Sequence, residues 1–394
     1  LSAMYTFKTH NNIAQEGIDV LIENNFAINE VEPDALLIRS FILEDKNFNE
    51  SLKCISRAGA GVNHIPIKLA TEKGIVVFNT PGGNANAVKE LVICGLLLSS
   101  RGIIQGHLFA EGIDEIDPIK VTNLVEGNKK NFKGNELKGK TIGIVGLGSI
   151  GSLLAQSLEV MGMKVIGYDP NISVDAAWQL PKEVEKAESL KYLFSNSDYI
   201  SLHVPLVEDT RNLISKETIK FIKKGAKLIN LSRGEIVNNQ DLLHALNENH
   251  ISSFVTDFPT PEMIQRSKEF NDVILLPHLG ASTKEAEINC AIMAAEQVKN
   301  FLHEGVIKNS VNFPTINLSK SSNYRLILIH QDEPGMLGKI TNEIAKEKLN
   351  ISDMINKSRN NIAITLIDTS EKPSDDLINA IRQIPSLVSA RLCK

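Results

Sequence analysis

The stretch Thr141-Ile142-Gly143-Ile144-Val145-Gly146-Leu147-Gly148-Ser149-Ile150-Gly151 constrains this chain more than any other. A short apolar run enters it, and Gly146, Gly148 and Gly151 follow at the spacing G-x-G-x-x-G. An amphipathic helical pattern leaves it. A second apolar run, Val165-Ile166-Gly167-Tyr168, then ends on Asp169. Between a strand and a helix, with an acid about twenty residues on, such glycines form a dinucleotide-binding fingerprint. Gly146 permits a tight turn, Gly148 lets the backbone approach a pyrophosphate, and Gly151 lets the helix pack closely on the sheet. The helix N-terminus at Ser149 and Ile150 offers unpaired N–H groups to phosphate. Asp169 is placed to accept hydrogen bonds from ribose hydroxyls. Pro170-Asn171-Ile172 supplies no Arg or Lys for an extra phosphate, which favours NAD over NADP.

At 394 residues the chain exceeds one ordinary core, so two or three domains are expected. A formal charge of -5 gives no electrostatic reason to expect nucleic acid or a membrane surface as partner. No uninterrupted apolar run is long enough to span a bilayer, and no secretory signal pattern opens the chain. Cys54, Cys94, Cys290 and Cys393 lie far apart without paired metal spacing and read as reduced thiols. A cytoplasmic protein needing no metal is the expectation. Leu1-Ser2-Ala3, before Met4, is given no role.

Apolar strands end repeatedly on polar or glycine-rich loops, as in an open parallel sheet at its ligand-binding edge. Ala35-Leu36-Leu37-Ile38 ends on Arg39-Ser40, and the run at 53–56 ends on Arg57-Ala58-Gly59-Ala60-Gly61. The run at 75–78 leads to Asn79-Thr80-Pro81-Gly82-Gly83-Asn84. After the fingerprint, predicted strands at 198–203, 226–231, 253–257 and 273–276 run into His203-Val204-Pro205, Ser232-Arg233-Gly234, Asp257 and Pro277-His278-Leu279-Gly280. The connector 111–140, rich in Asn, Gly and Lys, is expected to be mostly loop. The tail reads as β-α-β-β-α-β, a ferredoxin-like unit.

Arg233, Glu262 and His278 could together carry chemistry on a hydroxy acid. Arg233 offers a planar fork matched to a carboxylate, and His278 can relay a proton near neutral pH. Glu262 beside the imidazole would favour its charged form.

The segments Arg57 to Asn63, Asn79 to Asn84, the fingerprint, Tyr168-Asp169-Pro170, His203 to Leu206, Asn230 to Gly234 and Pro277 to Thr283 resemble the D-2-hydroxyacid dehydrogenase family, and within it the phosphoglycerate branch. The resemblance implies an α/β fold in which a Rossmann-like NAD domain (89–283) is inserted in a flavodoxin-like substrate domain (4–88 and 284–310). A linker (311–322) and a ferredoxin-like ACT domain (323–394) follow. Arg233 and His278 match the family's catalytic pair. Glu262 is in register for the acid, five residues after Asp257, although the usual valine after that aspartate and the proline after that glutamate are missing. Asp257 matches the residue that seats the nicotinamide carboxamide.

On the cofactor side the resemblance also points to Tyr168, His203, Val204, Pro205, His278 and Gly280. On the substrate side it points to Arg39, Ser40, Arg57, Gly59, Ala60, Gly61, Asn84, Arg233 and His278. Lys89 departs from the family, which usually has a small residue before Glu90-Leu91, and is expected to add positive charge over a phosphate. It implies NAD-dependent oxidation of D-3-phosphoglycerate to 3-phosphohydroxypyruvate, a step of serine synthesis. A homodimer through the NAD domain is implied, and a tetramer if ACT domains pair. His330, Asp332 and Asn350 match effector positions, but an ionised Asp332 cannot donate a hydrogen bond and repels a carboxylate, which argues against serine as ligand. Lys129, Lys130 and Lys133 form a basic patch that either reaches a partner subunit or faces solvent. Two other readings stay open: a glyoxylate or hydroxypyruvate reductase, and a non-catalytic NAD-sensing binding protein.

Overall fold

A computed structural model describes residues 5–178 and 180–393. Met4 and Lys394, the outer limits expected for the first and last domains, lie outside the described residues. The chain divides into two units, one of residues up to Asn84 and from Lys284 onward, the other of Ala85–Thr283.

The second unit is built on a seven-stranded parallel sheet. Its strands lie in the order Val273–Leu275, Ile251–Thr256, Ala226–Asn230, Tyr199–Leu202, Thr141–Val145, Lys164–Tyr168 and Glu185–Lys186. Runs such as Tyr199–Leu202 are buried throughout, as expected for a parallel sheet covered on both faces. This is the Rossmann-like arrangement. Pairing aligns Tyr168, Val145, Leu202, Asn230, Thr256 and Leu275 in one row across six strands. The chain leaves the sheet just beyond that row, so the loops after it share one edge.

The connector is not mostly loop. Helices span Ile103–Glu111 and Pro118–Asn128, and a short 3-10 turn covers Lys129–Phe132. The second helix starts on Asp117, whose carboxylate accepts from the N–H groups of Ile119 (2.8 Å) and Lys120 (3.4 Å). Pro118 at the first helical position loses no intrahelical bond. This cap outweighs the turn-forming composition around it.

In the first unit a five-stranded parallel sheet has the order Phe26–Ile28, Tyr5–His10, Ala35–Ile38, Cys54–Arg57, Val76–Phe78. The sequence order 2-1-3-4-5 is the flavodoxin-like one. A separate antiparallel sheet of Ile351–Arg359, Ile362–Thr369, Tyr324–Gln331 and Leu387–Cys393 forms the ferredoxin-like part. Alternation along Tyr324–Gln331 explains why both of its faces are buried. Leu326 and Leu328 pack with Met336, Ile340 and Ile381 of its own helices, while Ile327 and Ile329 join the core that holds Phe7, Phe78 and Phe301.

Two arginines fix this last sheet to the end of helix Lys284–Glu304. A helix leaves its last carbonyls without intrahelical partners. Here Arg391 donates to the carbonyls of Leu302 (2.9 Å) and Phe301 (2.8 Å), and Arg325 donates to that of Glu304 (2.9 Å). Arg325 is fully buried and also forms a two-point pair with Asp368 (2.6 and 2.8 Å). Burial alone would raise the Asp368 pKa, but the hydrogen bonds from Arg325 and Ser321 hold it below the usual value.

Residues 311–322 are packed against the first sheet where it matters. Asn312 accepts from the N–H of Val77 (2.8 Å) and donates to the Ile75 carbonyl (2.9 Å) and the Thr71 hydroxyl (3.0 Å). Phe313 is buried beside it. Among the described residues no helix is long and apolar enough to cross a membrane.

Candidate active site

The fingerprint turn shows why glycine is required at two positions. Gly146 has φ 93°, and a Cβ there would sit 2.5 Å from the His203 carbonyl oxygen. A Cβ on Gly151 would lie 2.0 Å from the Gly146 carbonyl oxygen, so only glycine lets the helix start this close to the strand. At Gly148 the opposite holds: nothing lies within 4 Å of a Cβ. That open space faces the start of helix Ser149–Val160, whose first turn has no side-chain cap. Bare backbone and uncapped N–H groups fit a pyrophosphate.

Asp169 folds the turn from the next strand. One oxygen accepts from the Leu147 N–H (2.9 Å) and the other from the Asn171 N–H (2.9 Å). Each oxygen keeps a lone pair for a ribose hydroxyl. Tyr168 ends its strand half-buried, and Val204 and Pro205 follow directly on the strand that ends at Leu202.

His203 places its Nε2 2.8 Å from the buried Ser201 hydroxyl, and burial pushes its pKa down to about 4. The imidazole is therefore neutral at pH 7. The sign of the linkage follows: an unfolded histidine takes up a proton near pH 6.5, the folded one only near pH 4. The second unit is expected to lose stability as pH falls through that window. Thermal melts of wild type and His203→Gln check this, the variant losing less than wild type between pH 7 and 4.

Arg233, Asp257 and His278 follow three neighbouring strands at the aligned row. The buried Asn230 side chain shapes the arginine loop. It donates to the Arg233 carbonyl (2.8 Å) and accepts from the Ser232 hydroxyl (2.9 Å). The guanidinium is half-buried and donates to the Ser232 carbonyl (2.6 Å). Asp257 is buried. Its Oδ2 accepts from the Gly280 N–H (3.0 Å), while Oδ1 has no hydrogen-bond partner among the described residues. Burial raises the Asp257 pKa, opposed by the Gly280 hydrogen bond and by the nearby His278 and Arg233. An orphaned buried oxygen beside the fingerprint edge suits an amide donor such as a carboxamide.

His278 adopts φ 51°, uncommon for a residue with a side chain. Its N–H, donated to the carbonyls of Asp257 (3.0 Å) and Leu276 (3.1 Å), holds it there. The Phe258 ring lies against the imidazole, centroids 5.0 Å apart and planes at 55°. Phe258 also closes over Gly234, where a Cβ would come 3.3 Å from the Phe258 Cβ. Phe258 thus links the arginine and histidine loops. Sequence reading passed over it, although the Asp257-Phe258-Pro259 departure from the family pattern was the available signal.

Glu262 stands exposed in the first turn of helix Pro261–Glu269, with Thr260 as its cap. No hydrogen bond or ion pair joins it to His278 among the described residues. The expected substrate-side residues divide between the units. In the first, Ile38 and Arg57 are register partners, which sets Arg39 and Arg57 at adjacent strand ends. Arg57 Nε donates to the Arg39 carbonyl (2.8 Å), and Arg39 pairs with Glu287 (2.6 Å). Ser40 N–H donates to Asn11, Gly59 N–H to the Thr80 hydroxyl, and Asn79 holds the Ala60 carbonyl. Gly61 and Asn84 are half-buried. In the second unit Lys89 donates to Asn86 Oδ1 (2.6 Å). Of the basic patch, Lys129 pairs with Glu126, and Lys133 lines a cavity with Arg101 and Lys227.

In the ACT-like part His330 is buried, its Nδ1 2.7 Å from the Gln331 carbonyl and its Nε2 2.9 Å from the Thr365 hydroxyl. Asp332 is exposed, its N–H donated to the Asn361 carbonyl (3.0 Å). Asn350 is exposed too, and its carbonyl accepts from Ser370 (3.0 Å).

Fold and site together define a Rossmann-type dinucleotide-binding protein. Residues 116–280 match the family model "D-isomer specific 2-hydroxyacid dehydrogenase, NAD binding domain", and residues 324–386 match that of the ACT domain. Among curated relatives, a D-3-phosphoglycerate dehydrogenase of Synechocystis is 36% identical over 77% of this chain and 55% of its own length. One of Escherichia coli K12 is 31% identical over 90% of this chain and 85% of its own. A solved NAD+-bound 3-phosphoglycerate dehydrogenase of Entamoeba histolytica superposes with a TM-score of 0.61 at 27% identity, covering 79% of this chain and 99% of that one. The chain therefore belongs to the D-isomer-specific 2-hydroxyacid dehydrogenase family, and it carries a C-terminal ACT domain. It spans little more than half the length of the Synechocystis relative.

Proposed function

We propose that this chain oxidises D-3-phosphoglycerate to 3-phosphohydroxypyruvate with NAD, and runs the reverse reduction, in the cytoplasm as a step of serine synthesis. The observation that carries the redox reading is the aligned row, which brings Arg233, Asp257 and His278 to the edge that holds Gly146, Gly148 and Asp169. When bound, NAD supplies the hydride acceptor. Gly148 and the N-terminus at Ser149, Ile150 and Gly151 cradle its pyrophosphate, and Asp169 takes the ribose hydroxyls. The absence of a cation in Pro170-Asn171-Ile172 favours NAD over its phosphorylated form. Asp257 Oδ1 receives the carboxamide, and Tyr168, His203, Val204, Pro205 and Gly280 line the remainder.

Arg233 holds the substrate carboxylate as a two-point fork. His278 takes the proton from the C2 hydroxyl on oxidation and returns it on reduction. Glu262, five residues after Asp257 and in the first turn of helix Pro261–Glu269, is assigned the role of orienting the imidazole. The phosphate end falls to Arg39 and Arg57, with Ser40, Gly59, Ala60, Gly61 and Asn84 around them, and with Lys89. Phosphate competes with Glu287 for Arg39, a largely exposed pair worth at most about 1 kcal/mol. The names of the relatives support this substrate. Lys89→Ala is expected to raise the KM for 3-phosphoglycerate about tenfold with kcat unchanged, one charged hydrogen bond being worth about 1.5 kcal/mol. An unchanged KM would remove Lys89 from the site.

The chain is expected to form a homodimer through the NAD domain. Helices Ile103–Glu111 and Pro118–Asn128 bury no residue, and Leu108, Ile116 and Ile119 are exposed between and upon them, a face a second copy would cover. ACT pairing would extend the dimer to a tetramer, with His330, Asp332 and Asn350 near any effector. NADH oxidation assayed with phosphohydroxypyruvate, hydroxypyruvate and glyoxylate tests the proposal. Turnover with glyoxylate alone would point to a reductase, and NADH binding without turnover to a sensing protein.

A further inference from the structure

The opposite edge of the NAD-domain sheet, where its strands begin, carries a polar cavity of about 510 Å³. Lys227 and Ser252 reach it from strands Ala226–Asn230 and Ile251–Thr256, Arg101 from just after helix Ala85–Ser100, and Lys133 from the connector. No carboxylate lines it. On the same edge Lys223 pairs with Asp198 (2.7 Å) and Arg266 with Asp272 (2.5 Å). Arg101, Lys133 and Lys227 have no ion pair among the described residues. Lys227 is half-buried, and its one hydrogen bond goes to the Ser252 hydroxyl (3.2 Å), which in turn donates to the Gly225 carbonyl (2.6 Å). Burial lowers the Lys227 pKa with no carboxylate to offset it.

The wall is firmly built. Asn135 donates to the Ser100 carbonyl (2.9 Å), the Ser100 hydroxyl lies 2.7 Å from that of Tyr199, and a Cβ on Gly134 would meet the Ser100 carbonyl at 2.1 Å. Three cations gathered in a concave site repel one another, in a chain whose net charge is negative. A bound anion removes that cost and gains charge-assisted hydrogen bonds. We propose that this cavity binds a phosphate dianion, free or as a small monoester, at a site remote from the nucleotide edge.

Isothermal titration of the full chain saturated with NAD, at fixed ionic strength, tests it with two probes, inorganic phosphate and glycerol 2-phosphate. A saturable site is expected that is weakened at least tenfold by Lys227→Gln and by the exposed Lys133→Gln, and that is retained in Arg39→Gln and Arg57→Gln, which alter the proposed substrate-phosphate subsite. The tighter of the two probes identifies the form of the ligand. Loss of binding in the Arg39 or Arg57 variant, equal binding of chloride, or no effect of Lys227→Gln and Lys133→Gln would overturn the proposal.

Discussion

His278→Gln is expected to lower kcat by about 10²–10⁴-fold, the usual contribution of a positioned general acid–base. Glutamine keeps a polar side chain of similar reach but cannot accept the hydroxyl proton at neutral pH. The backbone of residue 278 is held by hydrogen bonds from its own N–H to Asp257 and Leu276, so the loop should survive the change. Two readouts separate chemistry from distortion. The KM for NAD should stay within about threefold, since the fingerprint turn and the Asp257–Gly280 contact are untouched, and the melting temperature should stay close to that of wild type while kcat falls. A variant with wild-type kcat would exclude His278 as the proton carrier. Phe258 offers a companion measurement: Phe258→Ala leaves the imidazole in place but removes the ring against it, and should lower kcat less than His278→Gln.

Asp368→Asn should be the most damaging substitution to stability outside the nucleotide edge. It leaves the fully buried Arg325 guanidinium without its counter-charge, which costs about 3–5 kcal/mol. For a unit of this size that is a fall in melting temperature of order 10 °C. The Asp368 pKa is depressed, so its contribution is present above the ordinary carboxylate pKa and is lost as pH falls through the folded value. The difference between wild type and Asp368→Asn should therefore narrow in acid. Arg325→Met should be as damaging, because Arg325 also serves the carbonyls of Glu304 and Leu318 at 2.9 and 2.8 Å. Differential scanning calorimetry reads both. Equal melting temperatures for Asp368→Asn and wild type would show that the pair does not hold the last sheet to its neighbour.

The nucleotide edge was legible because its signals are local. The glycine spacing, the acid at Asp169 and the polar loops after apolar runs all lie within a few residues of the strand each one ends. The β-α-β-β-α-β tail follows from such runs, whereas the Rossmann-like domain rests on the fingerprint and the family resemblance. What sequence did not show depends on distant partners or on one decisive cap. Helix Pro118–Asn128 hid in an Asn- and Gly-rich segment whose helical start rests on Asp117 alone. Asn312 looked like linker, yet it joins Thr71, Ile75 and Val77 more than two hundred residues away. The Arg39–Glu287 pair joins residues just as far apart along the chain. Glu262 is the instructive case: its register with Asp257 is plain in the sequence, but its exposed place on helix Pro261–Glu269 depends on how the Phe258–Thr260 loop packs.

Phosphohydroxypyruvate and hydroxypyruvate differ only in the phosphate that Arg39, Arg57 and Lys89 are proposed to hold. The ratio of their kcat/KM values for NADH oxidation is therefore the most direct measurement. A site whose cations are matched to a phosphate should prefer the phosphorylated substrate at least about hundredfold, equivalent to ~2.7 kcal/mol of transition-state binding, and Arg57→Gln should lower that ratio at least tenfold. Equal kcat/KM values for the two substrates, or a ratio that Arg57→Gln leaves unchanged, would contradict the account.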